Sequence, residues 1–279
     1  MGYNNQTDGR NSWCESPRRI RPTRSDVLHI SQDGHVLSAV LDAPPANALG
    51  VADLQAFAGL ARQLAQDPGT VRVLLIRGSQ RFFCGGVDIS MISEHAGHDD
   101  GPDRVADFGA ELQSVLGALE ALPIPTIAAM RGSAVGGGLE LALACDFRVV
   151  ASESSYGLPE SRLGLIPGGG GTQRLTEVAG RGTALRLILL GELVKGDEAV
   201  DLGIAQWVRA SEEVEGFALE LAQQLSDLAP AALAAAKECI TATRHGTGYE
   251  LEVSLTRDLL SQEDTINRLQ SFLAGTRKK

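Results

Sequence analysis

The chain of 279 residues is long enough for one large domain, or for a core with a smaller appendage. With 43% hydrophobic residues, its composition is ordinary for a water-soluble globular protein. A formal net charge of −10 argues against nucleic-acid binding as the main role, because such proteins carry an excess of Lys and Arg.

The first half of the chain is predicted to alternate strands with helices. Residues 1–25 are polar and are expected to form a disordered tail, and two β-type runs at 27–31 and 35–43 around the turn 32–34 predict a hairpin. The elements expected next are a helix at 51–66, a buried strand at 71–78, a helix starting at 88–94 that runs into an aperiodic, mobile stretch at 95–103, a helical apolar stripe (Leu112, Val115, Leu116, Leu119 and Leu122), a strand at 125–130, a helix at 137–145 and a strand at 147–151.

Strand–helix alternation of this kind predicts right-handed βαβ units and a mainly parallel sheet. After about residue 175 the pattern changes to helices alone, which are expected at 183–191, 213–227, 230–244 and 251–262. The C-terminal third is therefore predicted to be a helical layer on an α/β core.

Three glycines at 136–138 lie between a predicted strand and a predicted helix. Without Cβ atoms the backbone there can touch a ligand, and the first N–H groups of the helix lack partners. The helix dipole adds partial positive charge, so a thioester or ester oxygen that gains negative charge would be stabilised there. Tight packing of the helix on the strand explains the glycines equally well.

Two glutamates each lie beside a glycine-rich turn. Glu140 follows the triple glycine, and Glu160 precedes a second glycine run at 168–171. A pair of carboxyls can move a proton onto one atom and off another, which points to acid–base chemistry on a carbonyl compound. Taken singly, Glu140 could instead be a surface residue that complements the helix dipole, and Glu160 an ion-pair partner of Arg162.

Other chemistries find little support in the motifs. The glycine runs match neither GxxxxGK[ST] nor GxGxxG, which argues against a phosphate loop or a Rossmann site. No GxSxG motif and no plausible Cys–His pair occur, so a covalent acyl-enzyme is not indicated. No metal site is expected, because zinc-ligand spacing is missing from the one His/Asp cluster, His95, His98, Asp99 and Asp100.

A reducing, cytoplasmic setting is expected from the cysteines. The four of them are scattered without CxxC or zinc spacing, at Cys14, Cys84, Cys145 and Cys239. No apolar run approaches the ~18–20 residues of a membrane span, so no membrane partner is expected.

Five segments together resemble the enoyl-CoA hydratase/isomerase (crotonase) family, and most closely an enoyl-CoA hydratase. They are PPANAL (44–49), RFFCGGVDI (81–89), IPTIAAMRGSAVGGGLELALACDFRVV (124–150), YGLPESRLGLIPGGGGTQRL (156–175) and SQEDTINRLQSF (261–272). The resemblance covers residues 26–275, which is nearly everything but the tail.

The resemblance implies a crotonase-like α/β fold, a spiral of ββα turns that makes two roughly perpendicular sheets, followed by C-terminal helices that mediate trimerisation. On this basis residues 26–205 are expected to form the core with the active site, and residues 206–279 the helical oligomerisation region. The implied assembly is a homotrimer or a dimer of trimers.

The resemblance also implies an acyl-coenzyme A thioester as substrate, with no separate cofactor. Its carbonyl would be held by the backbone N–H groups of Val87 and Gly137, both expected at helix N-termini. Further substrate contacts are expected from Gly86, Asp88, Ile89, Gly136, Pro159 and Gly168.

In the implied reaction, water adds across the C2=C3 bond of a 2-trans-enoyl-CoA. Glu140 would orient and deprotonate the water, and Glu160 would deliver a proton to C2. An isomerase that shifts a Δ3 double bond to Δ2 would need only the carboxylate matched by Glu160. A specialised acyl group, another crotonase reaction and a non-catalytic CoA-ester-binding protein stay open.

Departures from the family pattern concern the CoA phosphates. Ser90 stands where many members have a basic residue, and Gly275 replaces a common basic residue near the C-terminus. The preferred acyl group is expected to depend on residues 91–103 and on the C-terminal helices.

Overall fold

A computed structural model describes residues 28–79, 81–95 and 97–276 of the chain. The tail expected at 1–25 lies outside these described residues. The strands are β1 (Leu28–Asp33), β2 (Val36–Leu41), β3 (Val73–Gly78), β4 (Phe82–Cys84), β5 (Thr126–Met130), β6 (Ser133–Val135), β7 (Phe147–Ala151), β8 (Ser155–Gly157), β9 (Val194–Lys195) and β10 (Trp207–Arg209).

Helices alternate with these strands and then dominate the C-terminal region. They are α1 (Val51–Gln66), α2 (Ile89–His95), α3 (Gly101–Glu120), α4 (Gly137–Leu143), α5 (Gly171–Leu190), α6 (Gly196–Asp201), α7 (Val214–Ser226), α8 (Pro230–Ala242), α9 (Gly248–Leu260) and α10 (Glu263–Thr276). Short 3-10 turns occur at Glu160–Leu163 and Thr243–His245.

The mainly parallel sheet that the sequence predicts is confirmed. It has six strands in the order β1-β2-β3-β5-β7-β10, and within it only the β1–β2 hairpin is antiparallel. A second sheet has the order β4-β6-β8-β9. Its strands have two or three residues each, too few to show a period of two in the sequence, so only the family resemblance anticipated this sheet.

Both faces of the large sheet are covered. Leu74 and Ile76 on β3 point into the main core with α1, α3 and α4, while Val73 and Leu75 on the same strand point to the opposite face, against α7. Because β10 pairs with β7 and α7 packs on the sheet, residues 207–226 belong to the layered core, beyond the boundary expected at residue 205.

The largest differences from the predicted helices concern α3, α5 and α10. α3 begins at Gly101, inside the stretch predicted to be aperiodic, because Pro102 suits a first helical turn. α5 begins at Gly171 and is kinked at Gly180, whose φ is 78°, so its glycine-rich first half hides the helical pattern. The helix predicted at 251–262 is followed by a separate one, α10, after a break at 261–262.

The C-terminal helices α8 to α10 contribute few buried side chains. Large apolar residues are exposed along them, namely Ile240, Tyr249, Val253, Leu260, Ile266, Leu269, Phe272 and Leu273. Lys237 of α8 attaches this region to the core through Asp146, with 2.8 Å from Nζ to Oδ2. Within the described part of the chain, no helix is both long and apolar enough to cross a bilayer.

Arg148 on β7 is a buried arginine that binds main-chain carbonyls. Its side chain donates to Ile204 O at 2.6 Å and to Cys145 O at 2.5 Å, and the residue is 3% exposed. Cys145 O lies just past the C-terminus of α4, where a positive charge is favourable. Arg148 therefore ties α4 to the large sheet.

Replacing Arg148 by Met is expected to lower the free energy of unfolding by about 3 kcal/mol, because buried carbonyls lose their donors. Urea unfolding followed by circular dichroism measures the change. The exposed Arg62 on α1 supplies the matched control Arg62→Met. Equal midpoints for the two variants would contradict the assigned role.

Candidate active site

The triple glycine makes two close approaches at once. A Cβ on Gly138 would lie 2.1 Å from Cys84 O, so this position packs α4 against β4. A Cβ on Gly137 would lie 3.2 Å from the backbone N of Val87, so this position brings two N–H groups together. Tight packing therefore accounts for Gly138, while Gly137 allows two N–H groups to lie side by side.

The N–H groups of Val87 and Gly137 have no acceptor among the described residues. Leu49 N donates to Gly86 O and Asp88 N donates to Leu49 O, which leaves the Val87 N–H between them free. Gly137 is the first residue of α4, whose initial N–H groups have no intrahelical partner. Only this second donor lies at a helix start, since α2 begins two residues after Val87, at Ile89.

Two polar residues that the sequence analysis did not single out hold the loop beside Val87. Asn47 is fully buried with φ of 53°, accepts from Ala43 N and donates to Phe82 O, both at 2.9 Å. Asp53 accepts from Gly50 N at 2.9 Å. The PPANAL segment carries Asn47, but its role does not follow from local pattern, because its partner Phe82 lies in a different strand. Asp53 caps the start of α1 three residues after Gly50, a short-range contact that the sequence could have indicated.

Glu140 is buried, so the interpretation as a surface residue is wrong. Only 1% of it is exposed, and its Oε1 accepts from Gly169 N and Gly171 N, each at 2.8 Å. Burial raises its pKa, while these two N–H groups and the nearby Arg174 favour the charged form. Its carboxylate is thus fixed by the second glycine run.

Glu160 lies in the first 3-10 turn and forms no ion pair with Arg162 within the described residues. Its Oε2 is buried without a hydrogen-bond partner, and its Oε1 would be 2.8 Å from a Cβ on Gly136. Burial raises the pKa of Glu160 to about 7, and the charge of Glu140 adds to the shift. A carboxyl with an unpaired buried oxygen is suited to receive a ligand or water.

The two glutamates and the two free N–H groups line one cavity of about 490 Å³. The rest of its wall is largely apolar and includes Met91, Ile92, Phe108, Leu163 and Ile166. Of the residues expected to contact substrate, the cavity is lined by Gly86, Ile89, Gly136, Pro159 and Gly168.

Asp88 is expected to contact substrate but does not line the cavity. Its Oδ1 instead accepts from Ser90 N at 3.0 Å and from Ser90 Oγ at 2.7 Å, which lowers its pKa. Asp88 therefore stabilises the start of α2, the helix that borders the cavity.

Neither metal nor thiolate chemistry is indicated near the cavity. No group of three or more His, Cys, Asp and Glu side chains with metal-binding geometry occurs among the described residues. Burial raises the pKa of Cys84 and of Cys145 to about 12, so both stay as thiols at neutral pH.

The raised pKa of Glu160 predicts a loss of stability with increasing pH. Because the folded protein holds this proton more tightly than the unfolded chain, the free energy of unfolding should fall between about pH 4.5 and about 7. Because Glu160 is partly exposed, we expect the free energy of unfolding to fall by only about 1–2 kcal/mol over this range.

Glu160→Gln, which cannot ionise, should be more stable than the unsubstituted protein at pH 8 but not at pH 5. Urea unfolding at both values gives the comparison, and the exposed Glu220 supplies the control Glu220→Gln. The same difference at both pH values would contradict the assignment.

Comparisons of the sequence and of the structure with known proteins all match the same family. A family model described as enoyl-CoA hydratase/isomerase matches residues 32–278. The chain is 36% identical over 253 residues to a probable enoyl-CoA hydratase of Bacillus subtilis, covering 89% of this chain and 96% of that one. It is 40% identical over 214 residues to an enoyl-CoA isomerase/hydratase of Mycosarcoma maydis, covering 75% and 76%.

A crystal structure of an enoyl-CoA hydratase from Bacillus anthracis superimposes with a TM-score of 0.82 at 32% identity. The match covers 89% of this chain and 96% of that one. The similarity therefore extends through the layered core and into the C-terminal helices.

Proposed function

The chain belongs to the enoyl-CoA hydratase/isomerase family, and we propose that it adds water across the C2=C3 bond of 2-trans-enoyl-CoA thioesters. One observation carries the proposal: one buried and one half-buried carboxyl, in different environments, and two free backbone N–H groups face one apolar cavity. Such a cavity suits a carbonyl compound with an aliphatic tail.

The two N–H groups act on the thioester carbonyl. When water attacks C3, negative charge moves through the conjugated system onto the thioester oxygen. Donors at Val87 and Gly137 that are already in place stabilise that charge without reorganisation. Removing one such donor typically costs ~10²–10³-fold in rate.

The two carboxyls divide the proton transfers. Glu140, whose anion is held by two N–H groups, takes the proton from the water as its oxygen bonds to C3. Glu160, with a pKa of about 7, is substantially protonated at neutral pH and delivers its proton to C2. Exchange with solvent then returns each carboxyl to its starting state.

The proposal needs no cofactor besides the coenzyme A carried by the substrate. We further propose that the exposed apolar residues of α8 to α10 form the contact of a homotrimer or a dimer of trimers. Light scattering coupled to size exclusion would measure the mass directly, and a monomer at micromolar concentration would refute this assembly.

Hydration is tested by mixing the protein with crotonyl-CoA in H₂¹⁸O. The absorbance of the conjugated thioester should fall, and one ¹⁸O should appear in the 3-hydroxyl group of the product. A 3-enoyl-CoA is the comparison substrate, since an isomerase would raise the conjugated absorbance without incorporating ¹⁸O. Tight binding of both esters with no turnover would indicate a non-catalytic protein.

A further inference from the structure

The glycine run that binds Glu140 is itself bound by the side chain of Arg174. Glu140 Oε1 accepts from Gly169 N and Gly171 N, and the peptide unit between these donors is the one that joins residues 169 and 170. The carbonyl of that unit, Gly169 O, accepts from Arg174 Nη1 at 2.8 Å. The orientation of this one peptide determines whether the flanking N–H groups converge on the carboxylate.

The glycine turn does not maintain that orientation by itself, because its backbone has several conformations available. Gly170 has a φ of 97°, a conformation that glycine adopts but does not require. A Cβ there would lie 2.5 Å from Arg174 Nη1, so the guanidinium packs directly over the turn. The contact with Arg174 thus selects one backbone conformation from several that four consecutive glycines allow.

Arg174 is oriented by a second carboxylate. Its side chain is 11% exposed, and its Nε and Nη2 donate to Glu120 Oε2 at 3.1 and 3.0 Å. Glu120, on α3, also pairs with Arg244 beyond the C-terminus of α8. The planar guanidinium of Arg174 is therefore fixed in orientation, because Nε and Nη2 bind Glu120 and Nη1 binds the glycine turn.

We propose that Arg174 is a positioning residue for Glu140: it fixes the 169–170 peptide so that two N–H groups hold the carboxylate, and its charge favours the anion that accepts the water proton. The inference rests on the proposed function. The charged and titratable groups around Glu140 are Glu160 from the 3-10 turn and Arg174 from α5, with Glu120 and Arg244 behind Arg174.

The test compares Arg174→Gln and Arg174→Lys with the exposed Arg181→Gln on the same helix as control. For Arg174→Gln we expect kcat for crotonyl-CoA to fall about 10–100-fold, with KM changed less than about twofold. The acidic limb of its pH–rate profile should move to higher pH, because the base loses a stabilising charge. Arg174→Lys should keep the limb in place, since it retains the charge, while kcat still falls.

A measurement without turnover separates this inference from the proposed function. Infrared spectroscopy of the protonated carboxyl band, with Glu140→Gln subtracted to assign Glu140, should show its protonation at higher pH in Arg174→Gln than in the unsubstituted protein. An unmoved Glu140 titration would overturn the inference even if hydration is confirmed. A moved titration in a protein that hydrates nothing would support the positioning role and leave the proposed reaction refuted.

Should Arg174→Gln fail to fold, Arg174→Lys decides by itself. If kcat of this variant is at least about threefold lower than that of the unsubstituted protein, and the acidic limb of the pH–rate profile is unchanged, the geometric role is supported. A kcat equal to that of the unsubstituted protein overturns it.

Discussion

Glu160→Gln is expected to lower kcat for crotonyl-CoA hydration by about 10²–10⁴-fold, because the amide has no proton to give to C2. Substrate should still bind, since the buried site keeps its shape and the two free N–H groups are untouched. Stopped-flow absorbance of the conjugated thioester measures the rate. Glu220→Gln on α7, remote from the cavity lining, is the matched control.

The pH dependence of the unsubstituted protein tests the same assignment. If Glu160 acts as the acid, kcat/KM should decline as the pH rises through about 7. Glu140→Gln should also lose activity, since the amide cannot accept the water proton. Full activity in either glutamine variant would refute the division of roles proposed for the two carboxyls.

Gly137→Ala is expected to lower kcat/KM by about 10²–10³-fold, comparable to the loss of one oxyanion donor. Its new Cβ would lie 3.0 Å from Val87 Cγ2 and 3.2 Å from Val87 N, so the two donors must separate or be covered. The effect should be largely on kcat, because the donors bind most strongly to the charge that develops in the transition state.

Gly117→Ala on α3 is the matched control for the added methyl group, since its Cβ would meet no atom within 4 Å. Thermal unfolding of both variants shows whether Gly137→Ala remains folded. A folded Gly137→Ala with unchanged kcat/KM would remove Gly137 from the proposed oxyanion site.

Local pattern was sufficient for much of the fold. The β1–β2 hairpin, the strands β3, β5 and β7 and the helix α1 each show a period or an apolar run long enough to recognise. The strands β4, β6 and β8 have three residues each and no such signal. The beginning of α5 was missed because its glycines lower helix propensity, while its position is determined by the turn that holds Glu140.

Local sequence pattern was likewise sufficient for only part of the candidate active site. Glycine runs and two glutamates identified its components, and resemblance to a family gave each a role. Asn47, Asp53 and Arg174 were not found. Asn47 binds the carbonyl of Phe82, which the sequence does not place beside it. Asp53 and Arg174 bind backbone groups of Gly50 and Gly169 close by in the chain, but their roles depend on the loop beside Val87 and on the turn that holds Glu140. Ion pairing of Glu160 with Arg162 is a reasonable local interpretation, but these two residues form no ion pair in the described part of the chain, and Glu160 Oε2 has no hydrogen-bond partner there.

The order of residues is enough to predict the alternation of strands and helices, the glycine positions that permit close approach, and the two acids beside them. The difference between these acids arises only when the chain is folded. Glu140 receives two N–H groups from residues 29 and 31 positions away, whereas Glu160 is half-buried, with one buried oxygen unpaired and a pKa of about 7. Burial and long-range hydrogen bonds set that difference, and neither is a property of the residues next to a carboxyl in the chain.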